Sequence, residues 1–421
     1  MKFIAGGNIP ELLERLSSQS EVWAPRELRG SGGTVMFERW RSGDPLDLEH
    51  FASLSAKDMV LPRTEKLFGF SYAFGGAPVG NPFGAPAESA AGTAATAGES
   101  IRIIAAEPAG NVVLFGARAC DAKALTVLDA LFDQTAGKGY NDPRYRARRT
   151  GLTVITLACV TCDPACFCSS FENGTAEKAG SDLILYPLDG GFLAEAVTPK
   201  GESVIESGDN SRDKIGSARG PGDSDPKTGE AASGLTLFEE SGFETPVLAV
   251  TAKVEGLEGL RQKLAAIFDD LEFWRTETEK CISCGYCTYA CPTCHCFNIH
   301  DEMRGDREGE RLRSWDACMF HLYTQETSGH NPRPTLAHRY RNRINHKFSY
   351  YPENQGEILC TGCGRCIRGC PVGLDIRDVL RQAVECSASP EENGAAIADE
   401  PAGSPERQLD VTDETGEGGG G

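Results

Sequence analysis

Residues 281–292 read CISCGYCTYACP, which is four cysteines separated by two, two and three residues and then a proline. Residues 360–371 read CTGCGRCIRGCP and repeat that spacing. Runs of this form bind 4Fe–4S clusters through their thiolates, and the fourth cysteine of each run binds the cluster of the other run. We therefore predict that the two runs form one folded unit, a bacterial-type dicluster ferredoxin module, although 68 residues lie between Cys291 and Cys360.

The crossed pattern predicts two ligand sets of four cysteines. The first set is Cys281, Cys284, Cys287 and Cys370. The second set is Cys360, Cys363, Cys366 and Cys291. A structural zinc site and a group of disulfides are the alternatives, but zinc knuckles use two separate cysteine pairs. Because a specific pattern occurs twice, we favour iron–sulfur clusters.

The 421-residue chain is long enough for two or more domains, and its 40% of hydrophobic residues can form a sizeable core. Its 17 cysteines stand mostly in metal-ligand spacings, which indicates a reducing compartment instead of a disulfide scaffold. The first 16 residues, MKFIAGGNIPELLERL, have neither the apolar core nor the cleavage site of a signal peptide. With no apolar run long enough to span a bilayer, we expect a cytoplasmic protein without direct membrane insertion.

The net charge of −19 is unevenly distributed along the chain. Residues 387–421 carry nine acidic residues and one arginine, and we predict that this acidic tail is disordered. Residues 281–386 hold 13 Lys+Arg and 12 Asp+Glu and are therefore close to neutral. The overall acidity argues against a nucleic-acid partner.

The apolar pattern predicts an α/β N-terminal domain at residues 1–250, followed by an α+β ferredoxin module at 281–386 with a long insertion between its two runs. Within the first domain we predict helices at 9–16 and 122–132 and strands at 21–28, 34–40, 101–106, 112–116 and 152–158, with a hairpin in 182–206. The segment 251–280 connects the two parts, and its residues 257–280 have the apolar stripe of one long helix. Residues 61–68 are interpreted as a mixed turn-and-anchor stretch. Residues 75–99 and 207–235 are interpreted as flexible insertions, with cofactor contact as the alternative for 75–99.

Five more cysteines follow two of the predicted strands: Cys120, Cys159, Cys162, Cys166 and Cys168. Open α/β sheets bind ligands at the carboxyl ends of their strands, so these cysteines face one crevice. A single buried cysteine is normally a packing residue, whereas five at neighbouring strand ends predict a third iron–sulfur cluster with one cysteine to spare. Zinc and a redox disulfide are the alternatives. Asp121 is expected to N-cap the helix that follows.

The long insertion between the two runs holds two further features. Cys294 and Cys296 directly follow the first run and are interpreted as packing thiols, because both clusters already have four ligands. Residues 330–350 carry five Lys/Arg, three His and no acidic residue. Such a basic and aromatic stretch can bind RNA, but we favour a role in neutralising the negatively charged clusters and docking an acidic partner. We expect its histidines to be exposed or packed and not to bind metal.

Further motifs stand in a defined order along the chain. They are Leu61-Pro62 with Leu67-Phe68, Arg118-Ala119-Cys120-Asp121, Cys159-x6-Cys166-Phe167-Cys168, Cys291-Pro292-Thr293-Cys294, Arg311-Leu312-Arg313-Ser314-Trp315-Asp316-x-Cys318, His330-Asn331-Pro332-Arg333, Arg339-Tyr340-Arg341 and Gly362-Cys363-Gly364-Arg365-Cys366. In this order they resemble the iron–sulfur subunit shared by the beta chains of cytosolic NiFe hydrogenases (sulfhydrogenases) and the A subunit of anaerobic sulfite reductase. The resemblance runs from about residue 1 to residue 386, without the two predicted insertions.

The resemblance implies which cysteines hold the additional cluster, namely Cys120, Cys159, Cys166 and Cys168. Cys162 is then the spare cysteine. The motifs also provide six candidate cofactor contacts, which are Arg118, Trp315, His330, Arg333, Arg339 and Arg341. The chain departs from the family after Cys168, where residues 169–174 read SSFENG in place of a small glycine-rich turn.

The resemblance implies an electron-transfer subunit of a multisubunit oxidoreductase. It would relay electrons between a flavin/NAD(P)-binding or hydrogenase partner and a catalytic partner, such as a sulfite reductase or a heterodisulfide-reductase-like subunit. The residues agree, since they offer many cluster ligands but no Ser/His/Asp arrangement, phosphate loop or paired carboxylates. The first alternative is an iron–sulfur enzyme with its own FAD and substrate site in the N-terminal domain, although no glycine fingerprint is present. The second is a redox-sensing or nucleic-acid-binding protein that uses residues 330–350.

Overall fold

The computed structural model describes residues 1–73, 100–106, 110–133, 141–172, 174–208 and 236–386. The predicted insertion at 75–99, nearly all of the one at 207–235 and the predicted tail at 387–421 lie outside these ranges. Within them, no helix has both the length and the apolar character needed to cross a membrane.

The described residues form a mixed α/β structure, and the helices and strands predicted within residues 9–40 and 101–158 are found there. The strands are β1 Lys2–Ala5, β2 Glu21–Glu27, β3 Val35–Arg39, β4 Thr64–Ala73, β5 Ser100–Ala105, β6 Val112–Ala117, β7 Leu152–Leu157, β8 Leu183–Leu188, β9 Gly191–Ala196, β10 Glu239–Glu240, β11 Phe297–Met303 and β12 Glu308–Trp315. The helices are α1 Ile9–Ser17, α2 Ala119–Phe132, α3 Pro143–Gly151, α4 Pro199–Gly208, α5 Leu260–Ala266, α6 Leu271–Thr278, α7 Tyr286–Tyr289, α8 Leu336–Asn345, α9 Tyr351–Gln355, α10 Arg365–Arg368 and α11 Ile376–Cys386. A π-helical turn, His346–Tyr350, joins α8 to α9.

An eight-stranded mixed sheet lies at the centre of the N-terminal part, in the order β10-β1-β9-β8-β7-β6-β2-β3. Strands β2, β6, β7 and β8 run parallel, and the other pairs are antiparallel. Helices α1 and α4 cover one face through Leu12 and Val204, and α2 and α3 cover the other through Leu125 and Tyr145. Because β6, β7 and β8 are largely buried on both faces, their sequences are nearly continuous apolar runs.

The carboxyl ends of β6 and β7 lie side by side, since these strands are parallel neighbours. Strand β6 ends at Ala117, and α2 begins two residues later with Cys120 in its first turn. The N-cap of α2 is Arg118, whose backbone N–H donates to the Asp121 carboxylate at 3.4 Å. The prediction that Asp121 is the N-cap is therefore wrong, because Asp121 caps the helix from its third position.

A second sheet has four antiparallel strands in the order β11-β12-β4-β5. It joins two strands of the N-terminal part to a hairpin that lies between the two cysteine runs. The interpretation of residues 61–68 as a mixed turn-and-anchor stretch missed a strand, because β4 starts at Thr64. Arg313 of β12 pairs with Glu65 of β4 at 2.5 Å and also with Asp142 ahead of α3. These contacts lie within one compact unit, Met1–Ser387, which contains both predicted domains.

The segment that leads into the first cysteine run is broken into two helices, α5 and α6. The prediction of a single helix over 257–280 is therefore wrong. Asp270 explains the break, because its carboxylate accepts the backbone N–H of Phe273 at 3.0 Å and so caps α6. Trp274 is fully buried, and its indole N–H donates to the carbonyl of Ile267 at 3.0 Å, which holds the corner in place.

One apolar core supports both cysteine runs. Helices α5, α6, α8 and α11 and the π-helical turn all contribute to it, through residues such as Leu264, Trp274, Ile344, Phe348 and Leu380. The short helices α7 and α10 lie within the first and second runs, respectively. The runs are thus held by packed helices although their cysteines are far apart in sequence.

Candidate metal centres

The first predicted ligand set lines one cavity. Cys281, Cys284, Cys287 and Cys370 all contribute to its wall. The chain turns tightly inside the first run because Gly285 takes a φ of +75°, which favours glycine. Because all four cysteines line the same cavity, the fourth cysteine of the second run lies beside the first three of the first run, as the crossed pattern requires.

The second predicted set also comes together, since Cys360 and Cys366 lie close to both Cys291 and Cys363. Burial raises the pKa of the Cys360 thiol to about 12. Such a thiol loses its proton at neutral pH only when a metal takes the proton's place. Within the described ranges, no three His, Cys, Asp or Glu side chains approach as closely as the ligands of a single ion do. A 4Fe–4S cluster spreads its four thiolates over four irons and does not need that approach.

The third group contains four cysteines that lie close together, namely Cys120, Cys159, Cys166 and Cys168. Burial raises the pKa of the Cys159 thiol to about 11, so this thiol also needs a metal in order to ionise. Cys162, in contrast, is exposed, and its sulfur lies 3.8 Å from the carbonyl oxygen of Val250. The structure thus brings the four implied ligands together and places the fifth cysteine at the surface.

The third group lies directly against the second run. The backbone N–H of Phe167 donates to the carbonyl of Gly362 at 2.8 Å. A Cβ on Gly362 would lie 2.5 Å from the backbone of Cys168, and one on Gly364 would lie 2.5 Å from the carbonyl of Ala165. Only glycine fits at these two positions, because the backbone of the second run lies directly against the backbone of residues 165–168.

Cys363 stands between these two glycines and is only 9% exposed. It lies close to Cys120, Cys166 and Cys168 of the third group. It is also close to Cys360 of its own run. Cys363 therefore links the second set to the third group.

Three buried cations, Lys57, Arg343 and Lys347, face the cysteines of the first run. The Nζ of Lys347 lies 3.4 Å from the sulfur of Cys291. One nitrogen of Arg343 lies 3.4 Å from the sulfur of Cys294, and Lys57 donates to the carbonyl of Cys294 at 2.9 Å. The hydrogen bonds of these cations go to sulfur, hydroxyl and carbonyl groups.

A buried cation is costly unless a negative charge lies near it. Burial lowers the pKa of Lys57, and the sulfurs of Cys294 and Cys291 oppose that effect only in part. Burial also acts to lower the pKa of Lys347, but there the same two sulfurs outweigh it and the pKa is raised. Thiolate-ligated 4Fe–4S clusters carry the negative charge that these cations need, so the residues present fit such clusters.

Four buried polar atoms near the third group and the second run lack a hydrogen-bond partner in the described structure: Asp121 Oδ1, Thr361 Oγ1, Arg365 Nη1 and Arg368 Nη2. Three of them belong to donor groups. The guanidinium of Arg365 faces Cys363 and Cys120. Buried donors without a partner are rare in native proteins and indicate a bound group. Cluster and cysteine sulfurs accept such hydrogen bonds, so this region also fits an iron–sulfur cluster.

Three of the six candidate cofactor contacts lie at the cysteine groups. Arg118 is buried and faces Cys159. Arg339 is buried and donates to the Ser283 hydroxyl of the first run at 3.4 Å. Trp315 lies beneath Lys57, whose Nζ is 4.1 Å from the ring centre.

The other three candidates make their described contacts elsewhere. His330 is exposed. Arg341 stacks over the ring of Phe268 at 4.0 Å. Arg333 is half-buried, and its carbonyl accepts from Arg339 at 3.5 Å.

The basic stretch at 330–350 turns much of its charge inward. Arg339, Arg343 and Lys347 follow at intervals of four residues along α8 and the π-helical turn, and all three are buried. This agrees with the predicted neutralising role and removes these cations from any surface that could bind RNA. The helical interval could have indicated this shared face from the sequence. In contrast, no sequence signal indicated Lys57, which comes from the other end of the chain.

Two cysteine runs of this spacing, packed against one apolar core, are typical of iron–sulfur proteins with a dicluster ferredoxin domain. In agreement, residues 280–374 match the family model described as a 4Fe-4S dicluster domain. The chain is 30% identical to the sulfhydrogenase 2 subunit beta of Pyrococcus furiosus over 276 residues, which is 66% of this chain and 75% of that protein. No solved structure matches the chain. The chain belongs to the sulfhydrogenase beta-subunit family, and the predicted resemblance is confirmed.

These matches also bear on the predicted cofactors and role. They support 4Fe–4S clusters in a C-terminal dicluster domain, and they support an electron-transfer subunit.

Proposed function

We propose that this chain is an electron-transfer subunit that carries three 4Fe–4S clusters in a row. The order is the third group, the second set and the first set. The contact between the third group and the second run carries this proposal. There Cys363 of the second set is buried, its carbonyl oxygen lies 3.8 Å from the sulfur of Cys166, and the backbone N–H of Phe167 donates to the carbonyl of Gly362 at 2.8 Å. The crossed runs then place the first set next to the second.

The residues of the chain provide the ligands of these sites, pack around them and place positive charge near them. When bound, 4Fe–4S clusters accept and release single electrons at potentials that depend on burial, charge and hydrogen bonds. Lys347 and Arg343 bring buried positive charge to Cys291 and Cys287, respectively. Arg365 brings it to the region between the second set and the third group. The apolar core packs against Cys281, Cys287, Cys360 and Cys366 and partly shields these ligands from water.

We also propose that the chain works inside a cytoplasmic redox complex. The relative in Pyrococcus furiosus is named as a subunit, and the many thiols of this chain suit a reducing compartment. One partner would be a flavin/NAD(P)-binding or hydrogenase subunit. The other would be a catalytic subunit, such as a sulfite reductase or a heterodisulfide-reductase-like protein.

Iron and sulfide analysis of the protein purified without oxygen tests the number of clusters. The wild-type chain should hold about twelve irons, because each 4Fe–4S cluster supplies four. Cys159→Ser should reduce the content to about eight, since it removes a ligand of the third group. The matched control is Cys162→Ser, which should leave the content unchanged. Eight irons in the wild-type protein, with no further loss in Cys159→Ser, would rule out the third cluster.

An alternative function is a flavin-binding oxidoreductase, and an open cavity of ≈ 640 Å³ on the N-terminal part favours it. Trp40, Phe192 and His50 line this cavity, together with Leu48 and Glu49. Binding sites for small molecules and cofactors commonly have volumes of about 300–1,000 Å³ and apolar or aromatic walls with a few polar groups.

The wall of the cavity is connected to the third group. Arg118 donates to the carbonyl oxygens of Leu48 and Glu49, at 2.7 and 3.3 Å, and its charge faces Cys159. A flavin in the cavity would therefore lie near a cluster. Acid extraction of the isolated chain decides between the functions. One flavin released per chain supports the alternative, and no flavin in the extract eliminates it.

A further inference from the structure

The two cysteine runs contain loops of matching conformation at residues 282–285 and 361–364. Ser283 and Gly362 are equivalent positions, with φ of 56° and 64°, and Gly285 and Gly364 follow with φ of 75° and 71°. A short helix starts directly after each loop. The runs thus present the same backbone surface twice, once beside each predicted cluster.

Only one of these two surfaces is covered by the described chain. The loop at 165–168 packs against the second loop at Gly362 and Gly364, and Thr361 and Cys363 of that loop are 8% and 9% exposed. At the equivalent positions, Ile282 is 62% exposed and Cys284 is exposed. An isoleucine next to a predicted cluster is therefore left open to solvent, where its counterpart is buried.

The uncovered surface is apolar across both runs. Ile282 shares the wall of the first-set cavity with Pro371 and Val372 of the second run. Pro371 is exposed and Val372 is half-buried. Ser283 is the only non-glycine residue with a positive φ among the described residues. This strained φ at Ser283 keeps the loop at 282–285 in the same conformation as the loop at 361–364, which packs against the backbone of residues 165–168.

We infer that the loop at 282–285 is the docking surface for a partner redox subunit. The occupant would present a loop that holds its own cofactor, with close backbone contact and apolar packing on Ile282. The loop at 361–364 is the reason for this inference. It has the same backbone conformation, and a cysteine-bearing loop of this chain packs against it. The inference rests on the proposed function, since it makes the first set the end of the row at which electrons pass to another protein. The third group would then be the end of the row of clusters that lies farthest from this docking surface.

Hydrogen exchange in the intact complex tests the surface directly. The complex would be purified without oxygen from the source organism and compared with the isolated full-length chain. Amides of residues 281–286 should exchange at least about tenfold more slowly in the complex, as expected for a buried interface centre. Unchanged exchange at these residues would overturn the inference.

A matched pair of variants tests the role of the apolar side chain. Ile282→Glu should reduce the amount of one co-purified subunit by about tenfold or more, because a charge at the centre of an interface is strongly disfavoured. The released subunit should show the visible spectrum of its own cofactor. Ile101→Glu, at a position with 60% exposure on β5, is the control and should retain all subunits. Equal retention in both variants would contradict the inference.

Iron content separates this result from the proposed function. Isolated Ile282→Glu should hold as much iron as the wild-type chain. If it does not, the milder Ile282→Asn replaces it, and retention of every subunit by that variant counts against the docking surface. A wild-type chain with eight irons would remove the third cluster, but the exchange of residues 281–286 would still decide the docking surface.

Discussion

Arg365 and Asp121 form a buried ion pair that joins the second cysteine run to the first turn of α2. The Nη2 of Arg365 lies 2.8 Å from Oδ2 of Asp121, and the two side chains are 2% and 1% exposed. The Nε of Arg365 donates to the carbonyl of Ala52 at 2.9 Å, and its Nη1 has no partner in the described structure. One guanidinium therefore ties α2 and the segment at Ala52 to the second run, and it keeps one donor free near Cys120 and Cys363.

Arg365→Met should destabilise the protein strongly, because it leaves the Asp121 carboxylate buried without its cation. The expected loss is about 3–5 kcal/mol of unfolding free energy. The midpoint of anaerobic urea unfolding measures it. The control is Arg381→Met, since Arg381 pairs with Asp378 at the surface and such pairs contribute about 0–1 kcal/mol. Adding Asp121→Leu to Arg365→Met should recover part of the loss, and equal midpoints for the two single variants would contradict this account.

Lys347→Met should lower the reduction potential of the second-set cluster. The Nζ of Lys347 lies 3.4 Å from the sulfur of Cys291, so its charge favours the more negative, reduced cluster. A charged hydrogen bond contributes roughly 1.5 kcal/mol or more, which corresponds to a shift on the order of 60 mV for one electron. A redox titration followed by electron paramagnetic resonance measures the shift. Lys178→Met, at an exposed pair with Glu195, is the control and should leave the potential unchanged. A potential that rises in Lys347→Met would disprove the assigned role.

The cysteine groups could be predicted from the sequence because local spacing encodes them. Each run carries its ligands within eleven residues, and the crossed partner follows from the pattern. The strand ends also predicted five cysteines at one crevice, because Cys120 and Cys159 follow buried apolar runs. The choice of Cys120, Cys159, Cys166 and Cys168 among the five came from the family resemblance. What the sequence could not show is which residues surround these groups.

The surroundings depend on contacts between distant parts of the chain. Lys57 donates to the carbonyl of Thr288, which lies 231 residues away. Strand β4 pairs with its neighbour β5 on one side and with the distant β12 on the other. Residues 61–68 therefore offered no local sign of a strand. The helix predicted over 257–280 had the right apolar stripe, but the cap at Asp270 starts a new helix there. Sequence periodicity identifies buried faces better than it identifies breaks between helices.

Cys370→Ser should damage the cluster of the first set and spare that of its own run. Cys370 lines the cavity of Cys281, Cys284 and Cys287. We expect a loss of about four irons, with the signal of the second-set cluster retained. Iron analysis and electron paramagnetic resonance measure both. Cys386→Ser, at an exposed cysteine outside the predicted sets, should lose no iron. Loss of the second-set signal instead of the first would show that the ligands are not crossed.

Gly364→Ala should loosen the contact between the second run and the third group. Its new Cβ would lie 2.5 Å from the carbonyl oxygen of Ala165, so one of the two loops must move. Gly373→Ala is a matched control, because Gly373 has a similar φ of +66° but no atom within 4 Å of its added Cβ. Both variants carry the cost of a left-handed alanine, about 1–2 kcal/mol. Overpacking should add about 1–3 kcal/mol at Gly364 alone.

The third cluster provides the readout for this pair of glycine variants. If the loop contact holds the third group in place, Gly364→Ala should lose iron from that group and keep the clusters of the two runs. Gly373→Ala should keep all of its iron. The same iron content and the same unfolding midpoint in both variants would mean that the backbone contact between the two loops does not hold the third group.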